Sequence, residues 1–354
     1  MKLFLKNNII SKSVSDFTIN DIDIYACCGG GYGDIILYLC NSGLFYMLEK
    51  DLSCKNILIY IWVFDYKITE LFKNYNHNIY CCIETFNERD WLNNDFKKNL
   101  NEKFSCKHFD INKYYTIDSW FSNKQTPDKK YIYKGKTQFT PLEIENINIP
   151  IGKYANDFLS GIKKNKYIVI CFYAGDQIRT IPYKLVQHFI DNIDNSYYII
   201  LLGNKNAVRT NLTQYCFSKK NKKIIDLIDK TPIDLSINII KYADKVITSF
   251  SSTYVISALL NKKTLVFLPY LIVNHYREKE ILNDYKYVDN IFCYYLFSNN
   301  CDTILFNDST YHVNDLHTIN ATYCEIKDYV LEFNKIIDIK CNDNIKEIIK
   351  KIGF

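Results

Sequence analysis

The sequence of 354 residues lacks any apolar run of the roughly 18 residues needed to cross a bilayer. Its first 20 residues carry lysines but no continuous apolar core followed by a small-residue cleavage site, so no secretory signal is predicted. The 13 cysteines are odd in number and show no C-x-x-C spacing, which suits neither a disulfide framework nor a zinc site. We therefore expect a cytoplasmic protein with reduced thiols and no transmembrane segment.

Strong charge is also missing, since the formal net charge is only +5. Two lysine clusters, at residues 219–223 and 346–351, are typical of solvated faces, so binding to nucleic acid is compatible with the sequence but not favoured. No D-x-D pair follows a predicted strand, and Asp21 and Asp23 flank the entering end of one. We expect no metal site and no cofactor.

The chain is long enough for two domains, and its pattern is that of an α/β protein. Short β-branched or aromatic runs alternate with amphipathic stretches, which predicts parallel sheets connected by helices. In the first half, strands are predicted at residues 22–28, 56–63 and 79–84. In the second half, strands are predicted at 167–172, 197–202, 223–226, 245–248 and 264–268, and helices at 183–193, 233–242 and 254–260.

A change of composition at residues 135–150, which include Pro141 and Pro150, predicts the linker between the two domains. We expect one domain at residues 1–145 and a second at 146–325. The tail, residues 326–354, is interpreted as two helices that return to the first domain. Residues 85–128 show no clear period, and no element is predicted there.

A glycine-rich turn follows the first predicted strand and leads into a predicted helix at residues 35–48. The turn delivers the carboxylate of Asp34, together with the backbone N–H groups of Gly31, Tyr32 and Gly33, to the carboxyl edge of a parallel sheet. Glycines at such a position also occur where a helix merely packs close to the sheet. The turn becomes informative because similar turns recur downstream.

One of these turns contains four hydroxyl residues within five positions, at residues 249–253. An ordinary helix N-cap needs a single hydroxyl, so the excess favours an anion site at the start of the following helix. Another turn follows the strand at 167–172, where Ala174 and Gly175 allow close backbone approach and Arg179 can bind phosphate oxygens. Together the turns predict a diphosphate ligand.

These motifs resemble those of the bacterial lipopolysaccharide heptosyltransferase family, over residues 22–48 and 167–269. Gly33-Asp34 matches the family's Gly-Asp pair, and Arg179-Thr180-Ile181-Pro182 is similar to its lysine-x-tryptophan-proline step. Phe250-Ser251-Ser252 aligns with its aspartate-threonine-glycine phosphate turn. The resemblance implies a GT-B fold, in which two Rossmann-like domains face each other across a cleft and the C-terminal helices pack back on the first.

The resemblance also implies an inverting, metal-independent glycosyltransferase that uses a nucleoside diphosphate sugar as donor and Asp34 as general base. The acceptor would be a glycan, a protein or another hydroxyl compound. The implied diphosphate contacts are Ala174, Gly175, Arg179, Ser251, Ser252 and Thr253; the implied nucleoside contacts are Gly203, Asn204 and Thr231; His275 is a weak further candidate.

Three departures from the family leave other functions open. Phe250 replaces its aspartate, Val255 replaces its histidine, and the acid expected after residue 202 is missing. The alternatives are a sugar-nucleotide epimerase, a viral or phage-type glycosyltransferase acting on DNA bases, and a non-catalytic nucleotide-binding module.

Overall fold

In the computed structural model, the chain forms two units. The first comprises Met1–Lys153 with Pro232–Asp234, and the second comprises Tyr154–Thr231 with Leu235–Phe354. The structure describes residues 2–11, 24–41, 44–50, 55–63, 66–85, 148–175, 179–181, 183–204, 217, 223–269, 301–306 and 336–338.

The first unit contains a mixed five-stranded sheet with a parallel core. Its strands are β1 (Lys2–Leu5), β2 (Asn8–Ser11), β3 (Ile24–Gly30), β4 (Asn56–Val63) and β5 (Asn78–Thr85), in the order β2-β1-β5-β4-β3. Strands β3, β4 and β5 are parallel, whereas β1 is antiparallel to both β5 and β2. Two helices, α1 (Tyr32–Asn41) and α2 (Leu44–Lys50), and a 3-10 helix at Tyr66–Phe72 complete the described part.

The core of this unit lies where the helices cover the parallel strands. The sequence NILIYIWV of β4 is almost continuously apolar, as expected for a central parallel strand that is covered on both faces. Ile57, Ile59 and Ile61 are fully buried in it. Phe45 of α2 stacks on Phe72 of the 3-10 helix with ring centroids 6.4 Å apart, which joins the two helical elements.

The second unit contains a seven-stranded sheet in which every described pairing is parallel. The strand order is β12-β11-β10-β9-β6-β7-β8. The strands are β6 (Tyr167–Cys171), β7 (Tyr198–Leu201), β8 (Lys223–Asp226), β9 (Lys245–Ser249), β10 (Lys263–Pro269), β11 (Cys301–Phe306) and β12 (Ile336–Asp338). Its helices are α3 (Lys153–Ile162), α4 (Tyr183–Asn192), α5 (Ile233–Tyr242) and α6 (Ser252–Leu259).

The strand order of the second sheet reverses direction between β6 and β9. Counted from β6, the chain builds outward through β7 and β8 on one side, then returns to β9 and builds outward on the other. This is the order of a Rossmann-type sheet, in which ligands bind at the carboxyl edge beside the reversal. All five residues of β6 are buried, and its neighbours include Phe189 and Phe267, whose rings meet edge to face at 5.4 Å.

The α/β class with two parallel, Rossmann-like sheets is confirmed. Strand β8 and helix α5 have the predicted bounds, and the other predicted strands of the second unit differ from the observed ones by one or two residues. The predicted linker lies outside the described residues except at 148–150, as does all of 86–128. The domain boundaries at 145 and 325 stay predictions.

Three expectations about elements are wrong. Strand β3 runs on through Gly29 and Gly30, which pair with Trp62 and Val63 of β4, so the predicted six-residue turn shortens to Gly31. The single helix predicted at residues 35–48 is two helices, α1 and α2. Residues 336–338 were expected in a helix but form β12, because they pair with β11 as an edge strand of the second sheet. The rest of the tail lies outside the described residues.

Candidate functional site: the carboxyl edge of the second sheet

The candidate site lies where β6 and β9 end side by side. Cys171, the last residue of β6, pairs with Thr248 of β9. The chain then leaves β6 toward β7 on one side and leaves β9 toward β10 on the other. In this class of fold, a ligand usually binds at the edge of the sheet where two such connections diverge.

The connection after β6 is a loop that folds back on the strand. The Ile181 backbone N–H donates to the carbonyl of Phe172 at 2.9 Å, and the Ala174 N–H donates to the hydroxyl of Thr180 at 3.2 Å. Thr180 and Ile181 are buried. The loop therefore has a fixed base, which holds Arg179 at the strand end.

Arg179 extends from this loop to the end of β9. It is half-buried, and its Nη1 donates to the carbonyl of Phe250 at 3.4 Å. A Cβ atom added at Gly175 would lie 3.5 Å from Arg179 Nη2, so Gly175 and the guanidinium are neighbours. Two of the predicted turns thus meet through one arginine, at the residue that precedes the N-cap of α6.

Ser251 occupies the N-cap position of α6 without capping the helix by its side chain. Its backbone is extended, with φ −149° and ψ −174°, and its hydroxyl makes no side-chain cap hydrogen bond. That hydroxyl donates instead to the carbonyl of Ser249 at 3.3 Å. The N–H groups in the first turn of a helix have no partner within the helix and carry its positive end charge. The side chain of Ser251 therefore does not act as an ordinary helix cap.

Two of the four hydroxyls in this turn point into the protein. Ser249, fully buried, donates to the carbonyl of Tyr173 at 3.0 Å and so ties the end of β9 to the loop after β6. Thr253, 8% exposed, donates to Cys171 Sγ at 3.0 Å. Burial raises the pKa of the Cys171 thiol to about 11, although hydrogen bonds from Thr253 and Thr248 act against the rise.

These contacts divide the predicted diphosphate residues into two groups. Arg179, Gly175, Ser251 and Ser252 are half-buried at the edge. The side chain of Thr253 faces the core, so it has only its backbone N–H to offer, and the Ala174 N–H is already bonded to Thr180. Sequence reasoning did not find the roles of Cys171 and Ser249, whose contacts join the two sides of the site, or of Thr180, which closes the loop after β6.

Phe250 and Val255, two of the three departures from the family, are core residues. Phe250 is 4% exposed and packs on Tyr254 with ring centroids 5.3 Å apart. Its backbone N–H donates to the carbonyl of Phe267 in β10, and Val255 is 1% exposed. An apolar side chain at either position is explained by packing alone.

The predicted nucleoside residues lie at the ends of β7 and β8. Gly203 has φ +134°, a conformation that residues with a side chain rarely adopt, and its carbonyl accepts from the Asp229 N–H at 2.9 Å. This bond joins the loop after β7 to the loop after β8. Asn204 is half-buried. The Thr231 hydroxyl lies 2.8 Å from the Ser236 hydroxyl, across the start of α5.

The predicted catalytic residue belongs to the first unit. Asp34 is the third residue of α1, in its first turn, and Gly31 precedes that helix. The Gly31 carbonyl accepts from the Ile35 N–H at 3.1 Å, Tyr32 is half-buried and Gly33 is buried. The side chain of Asp34 and the whole of His275 lie outside the described part of the structure.

Neither a metal cluster nor a membrane span is found in the part of the chain that the structure describes. Across these residues, no group of three or more His, Cys, Asp or Glu side chains is placed to hold a metal ion. No helix within the described ranges is long and apolar enough to cross a membrane.

Comparison with known proteins finds similarity at the level of structure only. No protein-family model and no curated protein sequence matches the chain. Among solved structures, it is similar to Escherichia coli ADP-heptose LPS heptosyltransferase II, with 13% identity, a TM-score of 0.43, and coverage of 70% of this chain and 85% of the other. It is also similar to the family 9 glycosyl transferase of Veillonella parvula, with 12% identity, a TM-score of 0.41, and coverage of 71% and 83%.

A third similar structure is E. coli heptosyltransferase WaaC with ADP, at 12% identity, a TM-score of 0.38, and coverage of 69% and 87%. All three of these proteins are glycosyltransferases by name. Heptosyltransferases, the family that the short motifs resemble, are thus among the structures to which the chain is similar.

Proposed function

We propose that the protein is a glycosyltransferase of GT-B type, whose second unit binds a nucleoside diphosphate sugar at the carboxyl edge of β6 and β9. The observation that carries this proposal is the hydrogen bond from Arg179 to the Phe250 carbonyl. It brings a guanidinium beside a helix start whose N-cap hydroxyl does not cap. A cation and the amino end of a helix at one place form a binding site for an anion.

The same arrangement suits a diphosphate as leaving group. When the bond between sugar and diphosphate breaks, negative charge grows on the phosphate oxygens. Arg179, the Ser252 hydroxyl and the first N–H groups of α6 would stabilise that charge from where they lie, and the Ser251 hydroxyl would join them by turning away from the Ser249 carbonyl. Because these groups supply positive charge themselves, we propose transfer that does not require a metal ion.

The nucleoside would extend from this point toward β7 and β8. These two strands follow β6 in the sheet, so their carboxyl ends continue the edge on which the diphosphate would lie. Gly203, Asn204 and Thr231 are found there. The positive φ of Gly203 allows the loop to pass close to a ligand without a side chain in between.

Asp34 is proposed as the general base that removes the proton from an acceptor hydroxyl. Direct attack of that hydroxyl on the anomeric carbon would invert its configuration. The support is the position of residue 34 in the first turn after a parallel strand, together with the Gly-Asp motif in the sequence. The proposed acceptor is a glycan, a protein or another hydroxyl compound.

Donor binding tests the proposal most directly. Isothermal titration calorimetry of the full chain against ADP, UDP, GDP and CDP should identify at least one ligand. Arg179→Ala should weaken the binding of that ligand about 10- to 100-fold, because hydrogen bonds to charged groups contribute about 1.5–3 kcal/mol. The affinity of Arg179→Lys should lie between those of the wild type and Arg179→Ala, because lysine keeps the positive charge but lacks the planar guanidinium group.

Lys67→Ala is the matched control, because it removes one exposed positive charge from the first unit. It should leave the dissociation constant unchanged. If no nucleoside diphosphate binds, or if Arg179→Ala binds as tightly as Lys67→Ala, the donor site is not where we place it.

Asp34→Asn separates catalysis from binding. The variant should bind the nucleoside diphosphate normally and lose about 100-fold or more in sugar transfer, which is the usual contribution of a general base. Release of nucleoside diphosphate from the sugar donor, in the presence of a mixture of glycan acceptors, measures the transfer. Transfer at nearly the wild-type rate would remove Asp34 from the mechanism.

The same assay distinguishes the alternatives. An epimerase would change the sugar without releasing nucleoside diphosphate, and a non-catalytic module would bind the nucleotide without turnover. The module has one observation in its favour, namely that the family's acid at position 250 has become a buried phenylalanine.

A further inference from the structure

The opposite edge of the second sheet carries a concentration of lysines that the proposed reaction does not use. The amino ends of β6, β9 and β10 lie side by side, because Ile168 pairs with Lys245 and Lys245 pairs with Lys263. Three of the segments that reach this edge, residues 163–167, 241–246 and 260–264, contain seven lysines, no arginine and one carboxylate, that of Asp244. The segment before β7 adds the exposed carboxylates of Asp191 and Asp194, so lysines remain in excess. We call the three lysine-bearing segments the lysine edge.

Like charges are neighbours within the lysine edge. Lys245 and Lys263 are register partners on adjacent strands, an arrangement that costs stability when both ammonium groups are charged. Burial lowers the pKa of Lys245, and the nearby Lys263 lowers it further. Burial likewise lowers the pKa of Lys262, and Lys241 adds to that effect while Asp244 opposes it.

The negative ends of helices explain only part of this concentration. Helices α3, α5 and α6 end at this edge, and a lysine near a helix carboxyl end is stabilised by the helix dipole. Lys245 and Lys263, however, belong to strands. The end of α6 is also closed by its own backbone, since the N–H groups of Asn261 and Lys262 donate to the carbonyls of Ala258 and Ser257.

One feature of the lysine edge disfavours nucleic acid as its partner. Lys163 Nζ lies 3.1 Å from the ring centroid of Tyr242, and Lys245 Nζ lies 5.6 Å from that of Tyr197, so these ring faces are already covered and do not offer stacking platforms for bases.

The lysines of this edge fit electrostatic attraction to a negatively charged surface. Lysine is a compact charge on a flexible stem, which reaches outward without demanding a particular geometry of its partner. Tyr242, 42% exposed, adds an amphipathic ring of the kind found at membrane interfaces. We propose that the lysine edge docks the protein on the surface of an anionic lipid bilayer.

This docking leaves the carboxyl edge of the sheet uncovered. The five residues of β6 separate the two edges by roughly 16 Å, at about 3.3 Å per residue. A bilayer at the lysine edge therefore does not compete with a ligand beside Arg179. The inference does not depend on the proposed function, because it rests on different residues at the other end of the strands.

Vesicle sedimentation of the full chain tests the proposal. The protein should pellet with phosphatidylcholine vesicles that contain phosphatidylserine, and it should stay in solution with phosphatidylcholine alone or at high salt. The triple variant Lys166→Gln, Lys245→Gln, Lys263→Gln should bind about 100-fold more weakly, because each lysine near an anionic surface contributes about a factor of five. Circular dichroism verifies that the variant is folded.

The matched control is Lys55→Gln, Lys67→Gln, Lys153→Gln, which removes three exposed lysines and the same net charge elsewhere. It should bind the vesicles nearly as tightly as the wild type. Equal loss in both triple variants, or no preference of the wild type for phosphatidylserine, overturns the proposal. So does tighter binding to a DNA duplex than to the vesicles, if that binding is lost in the first triple variant, because the partner would then be nucleic acid.

Discussion

The two edges of the second sheet differ in the connections that they hold. At the amino edge the connections are short, closed by bonds such as Tyr197 N–H to Asp194 carbonyl at 3.1 Å and joined to a neighbour where the Tyr167 N–H donates to Asp244 Oδ2 at 3.0 Å. At the carboxyl edge, backbone bonds act together with buried hydroxyls, as in the bond from Ser249 to the Tyr173 carbonyl, to hold a longer loop.

This difference follows from the length of the connections. The loop after β6 runs from Phe172 to Pro182 before α4 begins, too long for one turn to fix its shape. Buried side chains such as Thr180 supply bonds that a short turn would obtain from its own backbone. Because those side chains fix the loop, the half-buried Arg179 can be held for a ligand. Variants that disturb one edge and spare the other test this comparison.

Replacing a glycine at each edge should produce the largest contrast. Gly203→Ala at the carboxyl edge should lower the free energy of unfolding by about 1–3 kcal/mol, because a residue with a side chain is strained at φ +134°. Its new Cβ would also meet Cys171 Sγ at 3.5 Å. Chemical denaturation measures the change.

Gly161→Ala in α3 is the matched substitution toward the amino edge. A Cβ there meets no atom within 4 Å, and alanine is the better helix former by about 1 kcal/mol, so stability should rise. If Gly203→Ala is as stable as the wild type, the loop after β7 does not need glycine and our account of the carboxyl edge is incorrect.

Removal of a single hydroxyl should have a smaller effect. Ser249→Ala takes away the donor to the Tyr173 carbonyl within a buried region, which should cost about 1–2 kcal/mol of unfolding free energy. Nucleoside diphosphate affinity should fall as well, because this bond joins the two loops of the proposed site. Thermal unfolding and calorimetry provide the two readouts.

Ser257→Ala serves as the comparison for that variant. Ser257 is also fully buried, but its hydroxyl donates to the Tyr254 carbonyl within α6, where alanine is favoured. We expect little change in stability and none in nucleotide affinity. Equal losses in the two variants would mean that any buried serine matters here, and that the bridge between the loops has no special role.

The sequence predicted the strands of the second sheet well because buried parallel strands are nearly continuous apolar runs. The segment YIVIC of β6 is a clear example, buried at every position. The hairpin of β1 and β2 was not predicted, since it is short and exists by pairing with β5, which is distant in sequence. Gly29 and Gly30 were likewise assigned to a turn, although pairing with β4 makes them strand.

The candidate site was predictable in location but not in detail. The hydroxyl residues after β9 and the arginine after β6 lie at one edge, as predicted from the sequence, since the carboxyl ends of parallel strands meet there. Their role as a ligand site stays a prediction. Composition does not tell which hydroxyl faces inward. Thr253 bonds to Cys171 because α6 is buried from Thr253 to Leu259, a property of the folded sheet and not of the local sequence.

The smallest expected effect is a gain in stability, and it concerns charge at the amino edge. Lys263→Gln removes one of two like charges on adjacent strands, so it should raise the free energy of unfolding by about 0.2–1 kcal/mol. Added salt should stabilise the wild type more than the variant, because salt screens the repulsion. At the carboxyl edge, Lys230→Gln should bring no gain, since Lys230 Nζ lies 3.7 Å from a carboxylate oxygen of Asp226. Thermal unfolding at low and high salt separates these outcomes. Destabilisation by Lys263→Gln would show that this lysine makes favourable contacts in the folded protein. The lysine edge would then be a structural feature of the sheet, with no charge repulsion for an anionic surface to relieve.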